Sequence, residues 1–213
     1  LKIIEINVEE KPTGEISLGA GAGTSGATIG GGVSENNFLG KGIKLKSHLA
    51  LTSNSIQGEF VYEKPNFNYT DNTLSTSLSS TKTDNLSVYG YETSKTRFAI
   101  GTKFEQYEDL FFTPNISTSY ENLQTTSAAS ANLRKQEGKY VDTYFNYRLD
   151  YDKRDQSYQP TDGYRTTFTQ ELPVVSNNYE LANSIEFSTY QKLSSDMVGR
   201  VTLYGKNINS LSD

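Results

Sequence analysis

The sequence contains no cysteine, a single histidine, His48, and no apolar run long enough for a membrane-spanning helix. Without cysteine, neither a disulfide framework nor thiol chemistry is available. One histidine is too few for a zinc site, which normally draws on several His or Cys ligands. A transmembrane helix needs about 20 predominantly apolar residues in a row, so a helical membrane span within this chain is excluded.

Charge of either sign is not concentrated in the sequence. The net charge is −5 and no basic stripe is visible, which argues against nucleic acid as a partner. No Ser-His-Asp set can be assembled around the single histidine, and no pair of carboxylates stands out among the 25 acidic residues. We therefore expect no catalytic residue, no metal, no cofactor and no enzymatic activity.

Aromatic residues, in contrast, are frequent in a polar background. Only 34% of the residues are hydrophobic, yet the chain has 15 Tyr and 10 Phe. This combination is typical of a transmembrane β-barrel, because every second residue of each strand faces water or the lumen. A secreted β-sandwich has similar averages, so composition alone leaves both architectures open.

Apolar and polar residues alternate along nearly the whole chain, in segments of about ten residues, the length at which a tilted strand crosses a bilayer. Near Asp150, for example, Phe145 and Tyr147 share one face while Asn146 and Arg148 share the other. The pattern predicts an all-β antiparallel fold. The predicted strands are residues 1–8, 15–23, 27–35, 43–52, 56–64, 73–82, 96–104, 110–120, 140–153, 164–174, 179–191 and 197–206.

The connections between these strands differ in length. Outer-membrane barrels have short turns on one side and longer loops on the other, so this contrast favours a barrel over a sandwich. Pro114 and Pro173 fall inside predicted strands, where they predict bulges or strand ends because proline removes a ladder hydrogen bond. The predicted short turns are residues 37–42, 105–109, 159–163 and 194–196, and the predicted long polar loops are residues 83–95 and 124–139.

Two motif-like patterns have plain structural interpretations. Residues 21–26 match G-x-G-x-x-G, but the glycine-rich stretch that follows cannot form the helix that a dinucleotide site needs. Asp150, Asp152 and Asp155 are interleaved with basic residues, which predicts local ion pairs rather than a calcium site.

Several runs together resemble the BamA family of outer-membrane insertases. Residues 8–15, Val-Glu-Glu-Lys-Pro-Thr-Gly-Glu, resemble the junction between the last periplasmic domain and the first barrel strand. Residues 36–42, Asn-Asn-Phe-Leu-Gly-Lys-Gly, resemble the first periplasmic turn. Residues 151–155 and 159–164 resemble the end of the eighth strand and the turn after it. The runs occur in family order and cover nearly the whole chain.

The resemblance implies an antiparallel transmembrane β-barrel of sixteen strands in the bacterial outer membrane, of which this chain supplies about eleven. Residues 1–13 would be the last strand and linker of a periplasmic polypeptide-transport-associated domain, and residues 14–213 the N-terminal portion of the barrel. The family's loop with a Val-Arg-Gly-Phe signature and its terminal aromatic strand are not found in the sequence, so we expect a fragment. The related translocation factor TamA shares this architecture.

The resemblance also implies that the barrel inserts other β-barrel proteins. Its partners would be unfolded outer-membrane protein clients, accessory lipoproteins of the assembly complex and the lipid bilayer. A passive porin-like barrel and a soluble adhesin-like sandwich are the alternatives.

The first barrel strand is the predicted functional site. Its three interior glycines weaken it by about 2–3 kcal/mol in total, so we predict that it opens laterally and pairs with client strands by β-augmentation. Alternatively, the glycines only permit twist or close packing. This predicted pairing edge consists of Glu15, Ile16, Ser17, Leu18, Gly19, Ala20, Gly21, Ala22 and Gly23.

A structural turn is predicted between the eighth and ninth barrel strands. It consists of Pro160, Thr161, Asp162 and Gly163. Pro160 presets φ, Asp162 is expected to bond backbone amides, and Gly163 is expected to take a positive φ.

Overall fold

A computed structural model describes residues 11–23, 26–177 and 179–211. The strand predicted at residues 1–8 lies outside the described residues. Eleven strands follow in chain order. They are β1 (Gly14–Gly23), β2 (Gly26–Phe38), β3 (Ile43–Thr52), β4 (Ser55–Lys64), β5 (Thr73–Asn85), β6 (Tyr91–Tyr107), β7 (Leu110–Thr125), β8 (Gly138–Asp152), β9 (Gly163–Val175), β10 (Glu180–Ser194) and β11 (Met197–Ser210).

Three short helical segments lie in the connections. A 3₁₀ turn spans Phe67–Tyr69, and the α-helices α1 and α2 span Leu86–Tyr89 and Ala131–Lys135. In the part of the chain that the structure describes, no helix is both long enough and apolar enough to cross a membrane.

The strands form one antiparallel sheet in which each strand pairs with its neighbours in sequence, from β1 to β11. β1 and β11 are therefore the two edge strands. We call the end of the sheet that carries the β2–β3 and β8–β9 connections the lower end, and the end that carries α1 and α2 the upper end. The predicted all-β antiparallel fold is confirmed.

The sheet has a polar face and an apolar face, and it is the polar face that is buried. Ser117, Asn146 and Asp150 are at most 7% exposed, whereas Leu18 is 87% and Leu203 63% exposed on the opposite face. A soluble domain would bury these apolar side chains. One row of the polar face, read across the register, is Ser17, Gly32, His48, Glu59, Ser79, Arg97, Ser119 and Asp142.

Charged residues on the apolar face stand within three residues of a strand end. The band between them carries no charge, as a lipid-facing surface requires, because an Arg or Lys at mid-membrane costs roughly 2–4 kcal/mol. The charged members of this face are Glu35, Lys64, Lys82, Asp84, Glu92 and Lys139.

Two predictions about the connections need correction. Most of residues 83–95 is strand, because β5 and β6 continue upward and are joined there by the Lys82–Glu92 ion pair of 3.1 Å. Long and short connections also do not separate by side. The lower-end connection, residues 153–162, is longer than most of the upper-end connections. The second predicted loop, residues 124–139, is a loop from 126 to 137 and contains α2.

Pro173 lies beside a shift of the ladder as predicted, whereas β7 continues through Pro114 without a bulge or a strand end. The β8–β9 register shifts beside Pro173, and the β6–β7 pairing is interrupted opposite Pro114, between the Gly101–Asn115 and Phe104–Phe112 pairs.

Candidate functional site

The predicted pairing edge is an edge strand in the structure. All ten residues of β1 pair with β2, from Gly14 opposite Glu35 to Gly23 opposite Gly26. Every β1 residue is exposed. Among the described residues no strand pairs with the other side of β1, and β11 at the opposite edge of the sheet is likewise paired on one side.

The side chains of β1 divide between the two faces as predicted. Ile16 and Leu18 lie on the apolar face, opposite Val33 and Gly31, with Ala20 and Ala22 next along the same face. Glu15, Ser17, Gly19, Gly21 and Gly23 lie on the polar face.

The glycines of β1 have no packing role among the described residues. A Cβ built on Gly19, Gly21 or Gly23 would meet no atom within 4 Å. What they do provide is a strand of low intrinsic stability, since each interior glycine costs about 0.5–1 kcal/mol relative to alanine.

The glycines of β2, in contrast, are closely packed against neighbouring strands. The sequence analysis did not identify this packing role. A Cβ on Gly31 would lie 2.9 Å from Leu18 Cδ2, and one on Gly32 would lie 3.0 Å from the Ser47 carbonyl oxygen. On the polar face, a Cβ on Gly30 would lie 3.3 Å from the Leu49 carbonyl oxygen. The unbroken Gly30-Gly31-Gly32 run inside a strand was the available signal, because such glycines mark close approach of neighbouring chains.

The lower end of β1 is anchored to β2 by side chains. The Glu35 carboxylate accepts hydrogen bonds from the Thr13 hydroxyl and, at 2.8 Å, from the Asn37 backbone amide. Asn36 Nδ2 donates to the Thr13 carbonyl oxygen at 3.3 Å. Above this cluster, the Ser17 hydroxyl donates a long hydrogen bond of 3.4 Å to the Gly32 carbonyl oxygen of the neighbouring strand. β1 is thus fastened below and loosely held above.

The residues of the predicted turn lie where the connection between β8 and β9 meets β9, and the aspartate that bonds backbone amides differs from the predicted one. Gly163 has a φ of +92°, and a Cβ there would lie 2.1 Å from the Lys153 carbonyl oxygen. The side chain that bonds backbone amides is that of Asp155 rather than Asp162. Asp155 accepts from the amide of Thr161 at 2.9 Å and from the amide of Asp162 at 3.2 Å.

The Asp155 carboxylate is also held by the Thr161 hydroxyl, which donates to it at 2.7 Å. This hydroxyl, together with the backbone amides, lowers the pKa of Asp155 below its usual value. Sequence reasoning chose Asp162 because of its place inside the Pro-Thr-Asp-Gly run; the reach of Asp155 back across the loop depends on the fold of residues 153–162.

The predicted ion pairs lie at the lower end of β8 and β9. Arg165 donates to Asp150 through Nε at 2.7 Å and through Nη2 at 2.5 Å. Arg154 makes the same bidentate contact with the Asp152 carboxylate, donating through Nε at 2.7 Å and through Nη2 at 2.6 Å. Across the described residues, no group of His, Asp and Glu side chains converges closely enough to hold a metal ion.

Comparison with known proteins gives two findings. A family model for the Omp85 superfamily domain matches residues 37–210. The crystal structure of BamA from Haemophilus ducreyi lacking POTRA domains 1–3 is similar with a TM-score of 0.71 at 20% sequence identity. The match covers 93% of this chain and 42% of that chain, so this chain spans less than half the length of that structure.

Proposed function

Because this chain belongs to the Omp85 superfamily, a family of outer-membrane protein insertion and translocation factors, we propose that it is the gate-bearing part of an insertase barrel. The barrel would assemble β-barrel proteins into the bacterial outer membrane. Its partners would be unfolded outer-membrane clients, the lipid bilayer and accessory lipoproteins of an assembly complex. The observation that supports this best is the glycine-rich β1, whose described side-chain hydrogen bonds concentrate at its lower end.

The proposed mechanism is β-augmentation at β1. An unpaired backbone group in the hydrocarbon region costs several kcal/mol, so an open edge strand strongly favours any strand that can pair with it. Pairing uses main-chain hydrogen bonds and therefore accepts many client sequences. The mechanism uses no catalytic residue, metal or cofactor.

The structure suggests where opening would start. The Glu35 cluster fastens the lower end of β1, while Gly19, Gly21 and Gly23 leave the upper part without side-chain support. We propose that the lower end faces the periplasm, because the residues before β1 resemble the junction with a periplasmic domain. The seam would then open from the outer side of the membrane while the periplasmic end keeps its register.

Cysteine cross-linking in the full-length protein tests this proposal. Gly21→Cys fits the fold, because a Cβ there meets no neighbour. With a client stalled during assembly, we expect a disulfide between Gly21→Cys and a cysteine in the client's terminal strand. Ser79→Cys is the matched control, since Ser79 lies on the same polar face of β5 but is paired on both sides.

Each outcome of the cross-linking separates one function from another. Trapping only the barrel's own last strand, in the presence of a stalled client, would refute client pairing and favour a passive barrel. A translocated, non-barrel client trapped at Gly21→Cys would favour the translocation role of TamA-like proteins.

A further inference from the structure

A groove crosses the apolar face of the sheet over β1, β2 and β3. It encloses about 360 Å³, at the lower limit of the roughly 300–1,000 Å³ that small-molecule sites occupy. Its floor is the backbone at Gly31, where β2 has no side chain. Its walls are the side chains of Ile16, Leu18, Ile29, Val33, Leu49 and Leu51.

The register explains why the groove forms at this place. Leu18, Gly31 and Leu49 stand in one row across three neighbouring strands. The missing side chain at the centre of the row leaves a trough between two leucines, and Ile29 and Val33 close it along β2. The next row member on β4 is Gly58, where an added Cβ would lie 3.9 Å from Leu49 Cδ1.

The chemistry of the groove selects a hydrocarbon chain as its occupant. The lining is aliphatic apart from the Ser47 hydroxyl and the glycine backbone. A peptide segment would bring N–H and C=O groups that need partners in a lipid environment, and the β2 backbone already pairs with β1 and β3. An alkyl chain has no polar groups to satisfy and is stabilised by burying its methylenes.

We infer that this groove binds one acyl chain of a membrane phospholipid beside β1. The Ile16–Val33–Ser47 row lies two residues above the start of β1, so the groove begins near the lower end. On the proposed orientation that end is periplasmic, which places the phospholipid in the periplasmic leaflet. The inference depends on the membrane orientation of the apolar face and not on client pairing.

Photo-cross-linking tests the groove in the full-length protein reconstituted in phospholipid vesicles. The probe is a phosphatidylglycerol with a diazirine in one acyl chain, and mass spectrometry locates the labelled residues. We expect several-fold more label on Ile29, Gly31 and Val33 than on Ile185, Val201 and Leu203, which are similarly exposed on the apolar face of β10 and β11.

Two matched variants give the inference a second criterion. Ser47→Leu fills the groove from β3 without touching β1, so labelling of β2 should fall several-fold. Ser80→Leu makes the same change on the apolar face of β5, away from the groove, and should leave β2 labelling unchanged. Folding of both variants is checked by circular dichroism in the vesicles.

Three results would overturn the inference. One is equal labelling of β2 and β10–β11, and another is β2 labelling that Ser47→Leu does not reduce. The third is displacement of the phospholipid probe by lipopolysaccharide, which would assign the groove to the other lipid of the membrane. None of these results depends on client insertion, so failure here is distinguishable from failure of the gate mechanism.

Discussion

The β1–β2 hairpin and the β8–β9 pair differ in their strand pairing, their burial and their side-chain contacts. Among the described residues β1 pairs with β2 alone, as β11 pairs with β10 alone at the opposite edge, and its side-chain hydrogen bonds are concentrated at its lower end. β8 is paired on both sides, buries Asn146 and Asp150 on the polar face, and carries ring contacts such as Tyr147–Phe168 at 6.1 Å on the apolar face. The difference indicates a rigid wall that supports a weak edge.

The glycines make the same contrast residue by residue. Gly19, Gly21 and Gly23 stand in open space, whereas Gly31 and Gly32 are in close contact with neighbouring strands. Glycine therefore weakens β1 and permits the packing of β2, and substitutions should have opposite effects in the two strands.

The largest expected effect is at the turn that closes the rigid wall. Gly163→Ala adds a side chain at a φ of +92° and brings its Cβ to 2.1 Å from a backbone oxygen. Backbone strain of about 1–3 kcal/mol adds to this clash, so we expect a loss of at least about 3 kcal/mol in the free energy of unfolding. Denaturant titration of the full-length protein in vesicles measures it. A near-neutral result would mean that the β8–β9 turn is not a rigid element.

The next effect concerns the polar face of the same wall. Asp150→Ala removes the acceptor of both Arg165 contacts and of Arg148 at 3.2 Å. Because a part-buried guanidinium loses its partner, we expect a loss of about 2–3 kcal/mol. Asp150→Asn keeps an acceptor and should cost less in the same titration. Equal losses for the two variants would show that the carboxylate charge is not what Arg165 requires.

A paired substitution in the hairpin tests the glycine contrast directly. Gly32→Ala must displace the Ser47 carbonyl and should cost about 1–2 kcal/mol. Gly21→Ala meets nothing and should stabilise β1 by about 0.5–1 kcal/mol, while slowing client insertion because the edge is firmer. Stability is measured by denaturant titration and insertion by the rate of client folding into vesicles. If both variants destabilise equally, the two strands do not differ as described.

The smallest effect is the pH response of the β8–β9 turn. The pKa of Asp155 is lowered in the folded state, so its contribution is present above the unfolded pKa of about 3.9 and is lost as pH falls through the folded value. Protease cleavage within residues 153–162 should therefore accelerate only in that acidic range. Asp155→Asn should remove this pH dependence; an unchanged profile in the variant would assign it to another group.

Much of the architecture could be predicted because apolar and polar residues alternate in most of the strands. The predicted bounds of β3, residues 43–52, are the observed ones. The error at residues 83–95 arose where β5 and β6 extend past the lipid, so that polar residues such as Thr83 and Glu92 occupy strand positions without an apolar face. Periodicity carries no signal there, since both faces meet water.

The bounds and the alternating faces of β1 could be predicted from the sequence, but the contacts that hold this strand could not. Sequence alone placed Ile16 and Gly21 on opposite faces of an edge strand. It could not show that Leu18 lies over Gly31, that Glu35 anchors Thr13, or that Asp155 replaces Asp162 in the turn. These contacts join residues from different strands or across a loop, and they depend on register and loop geometry rather than on local pattern.

Amide hydrogen exchange of the full-length protein in vesicles, with and without a client, tests the central claim most directly. The three glycines predict that β1 amides above Ser17 exchange on the order of 30- to 150-fold faster than they would in a glycine-free strand. The account predicts fast exchange in β1, slow exchange in β8 and β9, and protection of β1 when a client is bound. Exchange of β1 as slow as that of β8, or unchanged by client, would contradict it.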